Sequence, residues 1–530
     1  VLAFDVEHWA NRLLDKSKRK IVILYPSGKN GKPIIGYIWA RTTPCSNPSC
    51  RATIPLLRSL YLCKKENKKV SLRMDLDKQN KTADFDIVHG ENIKATEGTM
   101  LRRGNVKCPF CEQVTRVSAL REAGCAGKMG ERMVAVITHG ENGKEYRAVE
   151  TEDLEAFKNA RSYSVEKLYE YILPEINSPR RSNDIPHFRS INVDLYGLIT
   201  WGSLFNDRQI VAMQTFIECF HEIIEEMRKE INDPEYLKAI AVYLGIWIDR
   251  ISVRMSNVGR WNLSRETLEG PFDKQGIPMK WDYPEVNPFN QVTGGAKRQL
   301  DWILRFINKE GANRKISNII LGDGIYIPLD DNSIDYTITD PPYFDAISYS
   351  DLADFFYIWL KRGLKKIFPD VFLTPLSPKS EEATALNHRH DGDSTKADQH
   401  FVLKMSSIFN KMNELTKKGG IITVMFAHQS TKAWTALINA LFKAGLTINA
   451  TWPIETERKN RSVALESSAL TSSITVACRE RVVGSAVAFN DVKKEIIEVV
   501  SDSVRRFWAY GFRGADLIVS CYGPAVGVCC

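Results

Sequence analysis

No stretch of this 530-residue chain is apolar for long enough to cross a bilayer; the longest run, Ala239 to Ile248, stops at Asp249. No secretory leader is visible at the amino end, and no membrane partner is expected. A large excess of one charge is missing too: 72 Lys and Arg against 64 Asp and Glu leave +8, which suits a polyanionic partner without requiring one. Cysteine occurs 11 times, too thinly for a disulfide scaffold. Its clustering in close pairs within a large, lysine-rich chain points to metal and to a reducing compartment, the cytoplasm. A phosphate-cradling glycine loop is absent as well. Pro26-Ser27-Gly28-Lys29-Asn30-Gly31 is basic, yet no helix follows it, and it reads as a hairpin loop. Gly124-x-x-Gly127-x-x-Gly130 has the wrong spacing for a dinucleotide fingerprint.

The length allows about two to four domains. Phe4 to Lys20 has the spacing of an amphipathic helix, followed by strand patterns at Ile21–Tyr25 and Ile34–Trp39. Because the pattern is already helical at Val1, the chain reads as a fragment. Arg132–Thr138 and Glu145–Val149 read as strands, Glu150–Asn159 as a polar helix and Ser178–Asp184 as a linker. Asp207–Arg228 and Pro234–Met255 are helical by period, with Asn206 or Asp207 as cap and the charges at Glu225–Lys229 on a solvated face. Trp247, Trp261 and Trp281 with Arg250, Arg254, Arg260 and Arg265 either stack on bases and hold phosphates or are core and surface.

Two cysteine pairs carry the first chemical signal. Cys45-x4-Cys50 and Cys108-Pro109-Phe110-Cys111 can supply four thiolates to one tetrahedral zinc. The second is a knuckle whose turn aims amides at sulfur. Four sulfurs leave no open position, so the zinc would be structural. Cys63 and Cys125 stand alone and read as core. Leu56–Asp86, between the pairs, is lysine-rich and strand-like, a long insertion in a zinc ribbon.

The second signal is Asp340-Pro341-Pro342-Tyr343. A strand pattern, Asp335–Thr339, opens into it and a helical one, Ser350–Lys366, follows, as where an open α/β sheet presents chemistry. The amine of adenine is a poor nucleophile because its lone pair is delocalised. Accepting hydrogen bonds from both N–H groups, with the Asp340 carboxylate and the Pro341 carbonyl, draws that nitrogen towards a tetrahedral lone pair. Two prolines stiffen the loop, and the Tyr343 ring can stack on a flipped base. The alternative is a proline-stiffened surface turn.

Further strand patterns lie at Lys315–Leu321, Gly420–Ala427, Leu446–Trp452 and Ser473–Cys478, with helices at Ala397–Lys417 and Thr431–Ala444. Leu373–Asp398 reads as a long mobile loop near the site, and His388, His390 and His400 lack metal spacing. Asn287-Pro288-Phe289 and Gly294-Gly295 precede the helix Ala296–Lys309, but no apolar strand pattern leads into them, so they read as a decoy for a cofactor loop.

With these pieces, Ala40-Arg41-Thr42-Thr43-Pro44-Cys45, Leu195-Tyr196-Gly197, Trp281-Asp282-Tyr283, Thr339-Asp340-Pro341-Pro342-Tyr343, Ser350-Asp351-Leu352-Ala353-Asp354-Phe355-Phe356-Tyr357 and Trp452-Pro453, the chain resembles a family of adenine-specific DNA methylases that carry an inserted zinc ribbon. The resemblance implies an α/β fold: a Rossmann-like S-adenosylmethionine-dependent methyltransferase sheet with its first strands missing, plus the ribbon and a helical domain. It divides the chain into 1–40 (helix and strands), 41–150 (ribbon), 151–190 (linker), 191–290 (helices, DNA recognition), 291–480 (strands three to seven) and 481–530 (extension). Implied cofactors are S-adenosyl-L-methionine and structural zinc. Implied partners are double-stranded DNA and other proteins of a modification or phage-defence system.

By the same likeness Asp340, Pro341, Pro342 and Tyr343 are catalytic, while Phe344 and His428 line the target pocket. Asp323, ending strand three, faces the cofactor's adenine. His428 also reads as a structural histidine, and Asp323 as a turn residue. The family's upstream Asp-Pro-Phe-x-Gly-Gly-Gly loop is not found, so this chain alone is expected to bind S-adenosylmethionine weakly. An RNA base-amine methyltransferase and an inactive zinc-ribbon nucleic-acid-binding protein are the alternatives.

Overall fold

The computed structural model describes the chain except residues 29–30, 91–92, 94–96, 168–173, 177–190, 275, 312–316, 456–471, 482–487 and 530. The expected linker Ser178–Asp184 therefore lies outside the described residues. Helices and strands are mixed, and the chain divides into two compact units. The described residues of 1–176, 191–311 and 351–377 form the first; those of 317–350 and 378–529 form the second. No described helix is long and apolar enough to cross a membrane.

The strands of the first unit are β1 (Ile34–Pro44), β2 (Thr53–Leu56), β3 (Tyr61–Lys65), β4 (Lys68–Asp77), β5 (Thr82–His89), β6 (Val106–Lys107), β7 (Val114–Thr115), β8 (Gly130–Gly140), β9 (Gly143–Arg147), β10 (Arg260–Asn262), β11 (Thr267–Glu269) and β12 (Asp282–Val286). Its helices are α1 (Leu2–Ile21), α2 (Val117–Cys125), α3 (Thr151–Lys167), α4 (Asp207–Glu230), α5 (Pro234–Arg254), α6 (Ala296–Glu310) and α7 (Tyr349–Leu364). One antiparallel sheet runs β12-β1-β8-β9, with β2 beside the end of β1. Every residue of β1 except Pro44 is buried. The physical reason is a double cover. Ile35, Ile38 and Ala40 pack on the β3-β4-β5 sheet through Leu60, Leu62, Val70 and Leu72. Trp39 lies against Phe157 of α3 (4.5 Å), and Tyr37 lies under the guanidinium of Arg208 on α4 (3.9 Å).

The strand expected at Ile21–Tyr25 is instead the end of α1 and one 3₁₀ turn, Val22–Leu24. Its β-branched residues find no ladder, Ile23 stays exposed, and Arg208 takes the Leu24 carbonyl (3.1 Å). Of the charges expected on a solvated face of α4, Glu225, Arg228 and Lys229 are exposed, while Glu226 turns towards α1. Glu222, Glu226 and Glu230 meet Arg12, Lys16 and Lys20 of α1. Asn206 closes a full capping box with Gln209 at the start of α4.

At the centre of this unit sits a buried ion pair. Arg208 donates to both oxygens of Glu285 on β12 (2.6 and 3.0 Å), and both side chains are fully buried. Glu285 also accepts from Trp39 Nε1 (2.7 Å) and Asn206 (3.1 Å). With every polar atom of Glu285 engaged, the pair joins β1, β12 and α4. α6 and α7, which the sequence assigned to the catalytic core, belong to this unit by packing. α6 gives Trp247 of α5 a carbonyl at Ala296 (2.8 Å), and α7 sets Phe355 and Trp359 against Phe205.

The second unit contains β13 (Ile334–Thr339), α8 (Ser394–Leu415), β14 (Thr416–Phe426), α9 (Thr431–Lys443), β15 (Leu446–Glu455), β16 (Ser472–Glu480), α10 (Phe489–Ala509) and α11 (Gly514–Cys529). Its sheet runs β13-β14-β16-β15; the first pair is parallel and the other two antiparallel. Ile422, Val424, Phe426, Ile474 and Val476 meet Phe401 and Phe409 of α8 and Trp434 and Leu437 of α9 in its core. The strand expected at Lys315–Leu321 is absent from the described residues there: Ser317–Leu321 is not strand, and Ile319 and Leu321 are 91% and 77% exposed. Apolar composition alone does not make a strand without a neighbour to pair with. β13 is consequently the edge of the sheet, with Tyr336 and Ile338 exposed.

Removing one half of the buried pair leaves an uncompensated charge. Glu285→Ala is expected to lower the urea-unfolding free energy of the first unit by about 3–5 kcal/mol, while an exposed-site control such as Glu66→Ala leaves it unchanged.

Candidate active site and metal centre

Cys45 follows the end of β1 and Cys50 precedes β2; Cys108 and Cys111 sit on the turn between β6 and β7. The tertiary structure brings the four sulfurs within 4.8 Å of one another. Cys45–Cys111 and Cys50–Cys108 are 3.7 and 3.9 Å apart, close to the spacing of about 3.8 Å that sulfurs 2.3 Å from one tetrahedral zinc require. Backbone amides supply the supporting field. Asn47 donates to Cys45 Sγ (3.4 Å), Phe110 and Cys111 donate to Cys108, and the Gln113 amide draws the Cys111 thiol below its usual range. Burial pushes Cys45 the other way, which a bound cation would reverse. Among the described residues this is the one His, Cys, Asp and Glu group of metal-binding form, and it can hold a metal such as zinc. Cys63 is buried, as expected, whereas Cys125 is exposed.

In the second unit, parallel pairing of β13 with β14 puts two carboxyl ends at one edge, with Thr339 opposite Val424. Asp340 follows the first strand and Ala427-His428 the second. The Asp340 carboxylate faces solvent, Pro341 is buried, and Pro342 and Tyr343 are half-buried. The Tyr343 hydroxyl is hydrogen-bonded to Asp340 and Ser473; burial, then the Asp340 carboxylate, raises its pKa to about 12. Its ring meets Phe426 edge-on at 5.5 Å.

Phe344 is placed differently from the sequence expectation. It adopts a left-handed backbone (φ 56°), turns its ring into the core against Phe401 (5.1 Å), and is 4% exposed. Its side chain supports the loop from below and does not line an open pocket. His428 is also committed. Its Nδ1 accepts from the Ser430 amide (3.0 Å), which places the proton on Nε2, and Nε2 faces Asp345 Oδ1 at 2.9 Å. That bond is the first cause holding the Asp345 carboxyl below its ordinary value. His428 therefore anchors Asp345 and has no free basic nitrogen for a substrate.

The long segment Leu373–Asp398 was expected to be mobile, but in the second unit it is tied to the Asp340 loop. Ala385 N donates to the Phe344 carbonyl (3.0 Å). Glu382 accepts from the Ser350 amide and hydroxyl (3.1 and 2.7 Å). Arg389 bridges Glu382 (2.5 Å) and the Ser350 hydroxyl (2.8 Å), and His400 meets the Glu382 carbonyl (3.0 Å). Nothing in the sequence separated this Glu and Arg from the other polar residues of the segment. Their partners lie 32 and 39 positions away.

Other expected participants do not join. Asp323 ends no strand. Its carboxylate accepts from the Ile325 amide (2.9 Å) and its carbonyl from Tyr326, so it shapes its own turn. A strand, β12, does lead into Asn287-Pro288-Phe289, against the sequence reading. The loop is nevertheless filled by its own chain: Asn287 and Asn290 side chains bind the carbonyls of Ile34, Asn287 and Thr293. A Cβ at Gly295 would fall 1.9 Å from the Asn290 carbonyl oxygen. The tryptophans of the Trp and Arg stretch are packed, while Arg260 and Arg265 are exposed. Trp247 and Trp281 are buried, Trp261 donates to the Leu62 carbonyl, and Arg254 and Arg260 bind Leu268 and Glu269.

Two outcomes follow from this geometry. The purified protein should contain one zinc per chain by atomic absorption, and Cys108→Ser should lose most of it. Arg389→Ala should speed amide exchange across Asp345–Ser350, and Arg389→Lys should restore only part of the protection, since an ammonium cannot reproduce the guanidinium fork. Comparison with protein-family models, with curated proteins and with solved structures finds no match to this chain.

Proposed function

We propose that the chain is a DNA methyltransferase acting on the N6 amine of adenine, built on a Rossmann-like methyltransferase sheet with an inserted zinc ribbon. One observation carries the reading: a solvent-facing carboxylate, Asp340, at the carboxyl end of a parallel strand, followed by two prolines. In this reading a target adenine flips from the duplex and its amino group gives one N–H to Asp340 and the other to the Pro341 carbonyl. Pro341 and Pro342 hold those acceptors in place, so little ordering remains when the base arrives. The Tyr343 hydroxyl bond fixes the carboxylate's orientation. Glu382 and Arg389 brace the far end of the loop at Ser350.

S-adenosylmethionine would supply the methyl group. Asp323, the residue expected to meet its adenine, ends no strand, and one of its carboxylate oxygens accepts from the Ile325 amide. In this reading the residues around Asp340 serve the nucleophile's side of the reaction. The second reading is nucleic-acid binding without catalysis.

Asp340→Ala separates the two. With labelled methyl donor and adenine-containing duplex, the variant should lose about 10²–10³-fold in methyl transfer while binding DNA as well as the native protein. Native protein that methylates no DNA under these conditions would overturn the catalytic reading, and transfer to RNA alone would replace its substrate.

A further inference from the structure

The molecule's net charge is unevenly placed. Residues 41–150 hold 20 Lys and Arg against 13 Asp and Glu, which is +7 of the chain's +8. Within that segment the densest point is the β3–β4 hairpin, whose turn, Glu66-Asn67, is flanked by Lys64, Lys65, Lys68 and Lys69. The register sets Lys65 directly opposite Lys68 and Lys64 directly opposite Lys69. Like charges facing across a ladder are destabilising, and here two such pairs are consecutive.

The two pairs lie on opposite faces of the hairpin, because successive residues of a strand alternate sides. The inner pair converges on Glu266, a buried carboxylate on the β10–β11 turn. Lys65 and Lys68 both bind it, Tyr146 donates to it (3.0 Å), and Lys144 binds its backbone carbonyl. Two ammonium groups thus share one carboxylate, and a third caps the same residue's carbonyl. Lys68 also lies over the Tyr146 ring (5.4 Å) and Lys144 over Trp261 (5.8 Å). This knot fixes the hairpin to the body of the unit and leaves surplus positive charge on it. The outer pair, Lys64 and Lys69, has no carboxylate partner among the described residues.

We propose that this hairpin is a phosphate clamp for duplex DNA, with Lys64 and Lys69 contacting the backbone and Glu266 holding their strands rigid. The proposal rests on the reading of DNA as substrate and adds where the duplex is gripped. Lys64 rests over the Tyr61 ring (5.5 Å), and a polyanion would supply the opposite charge that the outer pair lacks among the described residues. A pre-ordered pair of ammonium groups also loses little freedom on binding.

The test is Lys64→Ser with Lys69→Ser in the native protein, measured by fluorescence anisotropy on a labelled duplex over a salt series. Two lost phosphate contacts should flatten the slope of log K against log salt by about 1.8, with thermal stability unchanged or raised. The control carries the same charge change elsewhere: Lys18→Ser with Arg19→Ser, both exposed at the end of α1. An equal loss in the control, or an unchanged slope in the hairpin variant, overturns the clamp. Native protein that binds no duplex at low salt, or prefers RNA, overturns the DNA reading itself. Loss of methyl transfer in Asp340→Ala with the slope retained leaves the clamp standing.

Discussion

The parallel pairing of β13 with β14 is the constraint on which the candidate site depends. A strand's carboxyl end carries whatever side chains follow it. Two parallel neighbours bring two such ends to one edge, which places Asp340 and His428 on the same rim although 88 residues separate their numbers. Had β13 paired antiparallel, the loop after Thr339 would emerge beside the start of β14. The other two pairings are antiparallel, so this single ladder concentrates the candidate chemistry at one edge.

Rigidity around that edge comes from several weak sources acting together. Two prolines restrict the loop, Phe344 plugs its underside into the core, and His428 pins Asp345. Glu382 and Arg389 tie Ser350 to a segment that has little secondary structure of its own. Each contact holds a polar group that would otherwise need water. Together they leave the Asp340 carboxylate exposed on a fixed backbone, the arrangement a hydrogen-bond acceptor requires if it is to meet a substrate without rearranging.

The first unit has a different logic. Its central strand is buried on both faces, and the carboxylate of Glu285 survives burial only because Arg208, Trp39 and Asn206 satisfy it. A four-cysteine centre closes the small β6–β7 hairpin, which is too short to be stable alone. Lysine surplus then collects on the neighbouring β3–β4 hairpin. The four-cysteine cluster, basic hairpin and core sheet lie in one unit, and the Asp340 loop in the other.

Much of this was legible beforehand for physical reasons. Helices α4, α5, α8 and α9 show through their apolar period, and β14 to β16 through β-branched runs bounded by glycine or caps. The cysteine pairs announce a shared centre because zinc chemistry demands four ligands at short spacing. The two strands expected but not formed have one cause. Val22–Leu24 and Ile319–Leu321 have strand composition without a partner strand, and composition is all a sequence displays. Of the two readings left open for the Trp and Arg stretch, Trp247 and Trp281 take the packed one, with Arg260 and Arg265 at the surface.

By itself, then, the sequence determined which segments could be helix or strand, which thiols could share an ion, and where a stiff carboxylate loop would stand. Tertiary contacts alone turn Phe344 inward, set His428 on Asp345 and bring Arg389 to Ser350. Those choices depend on contacts between residues distant in the chain, whose energies no local pattern contains.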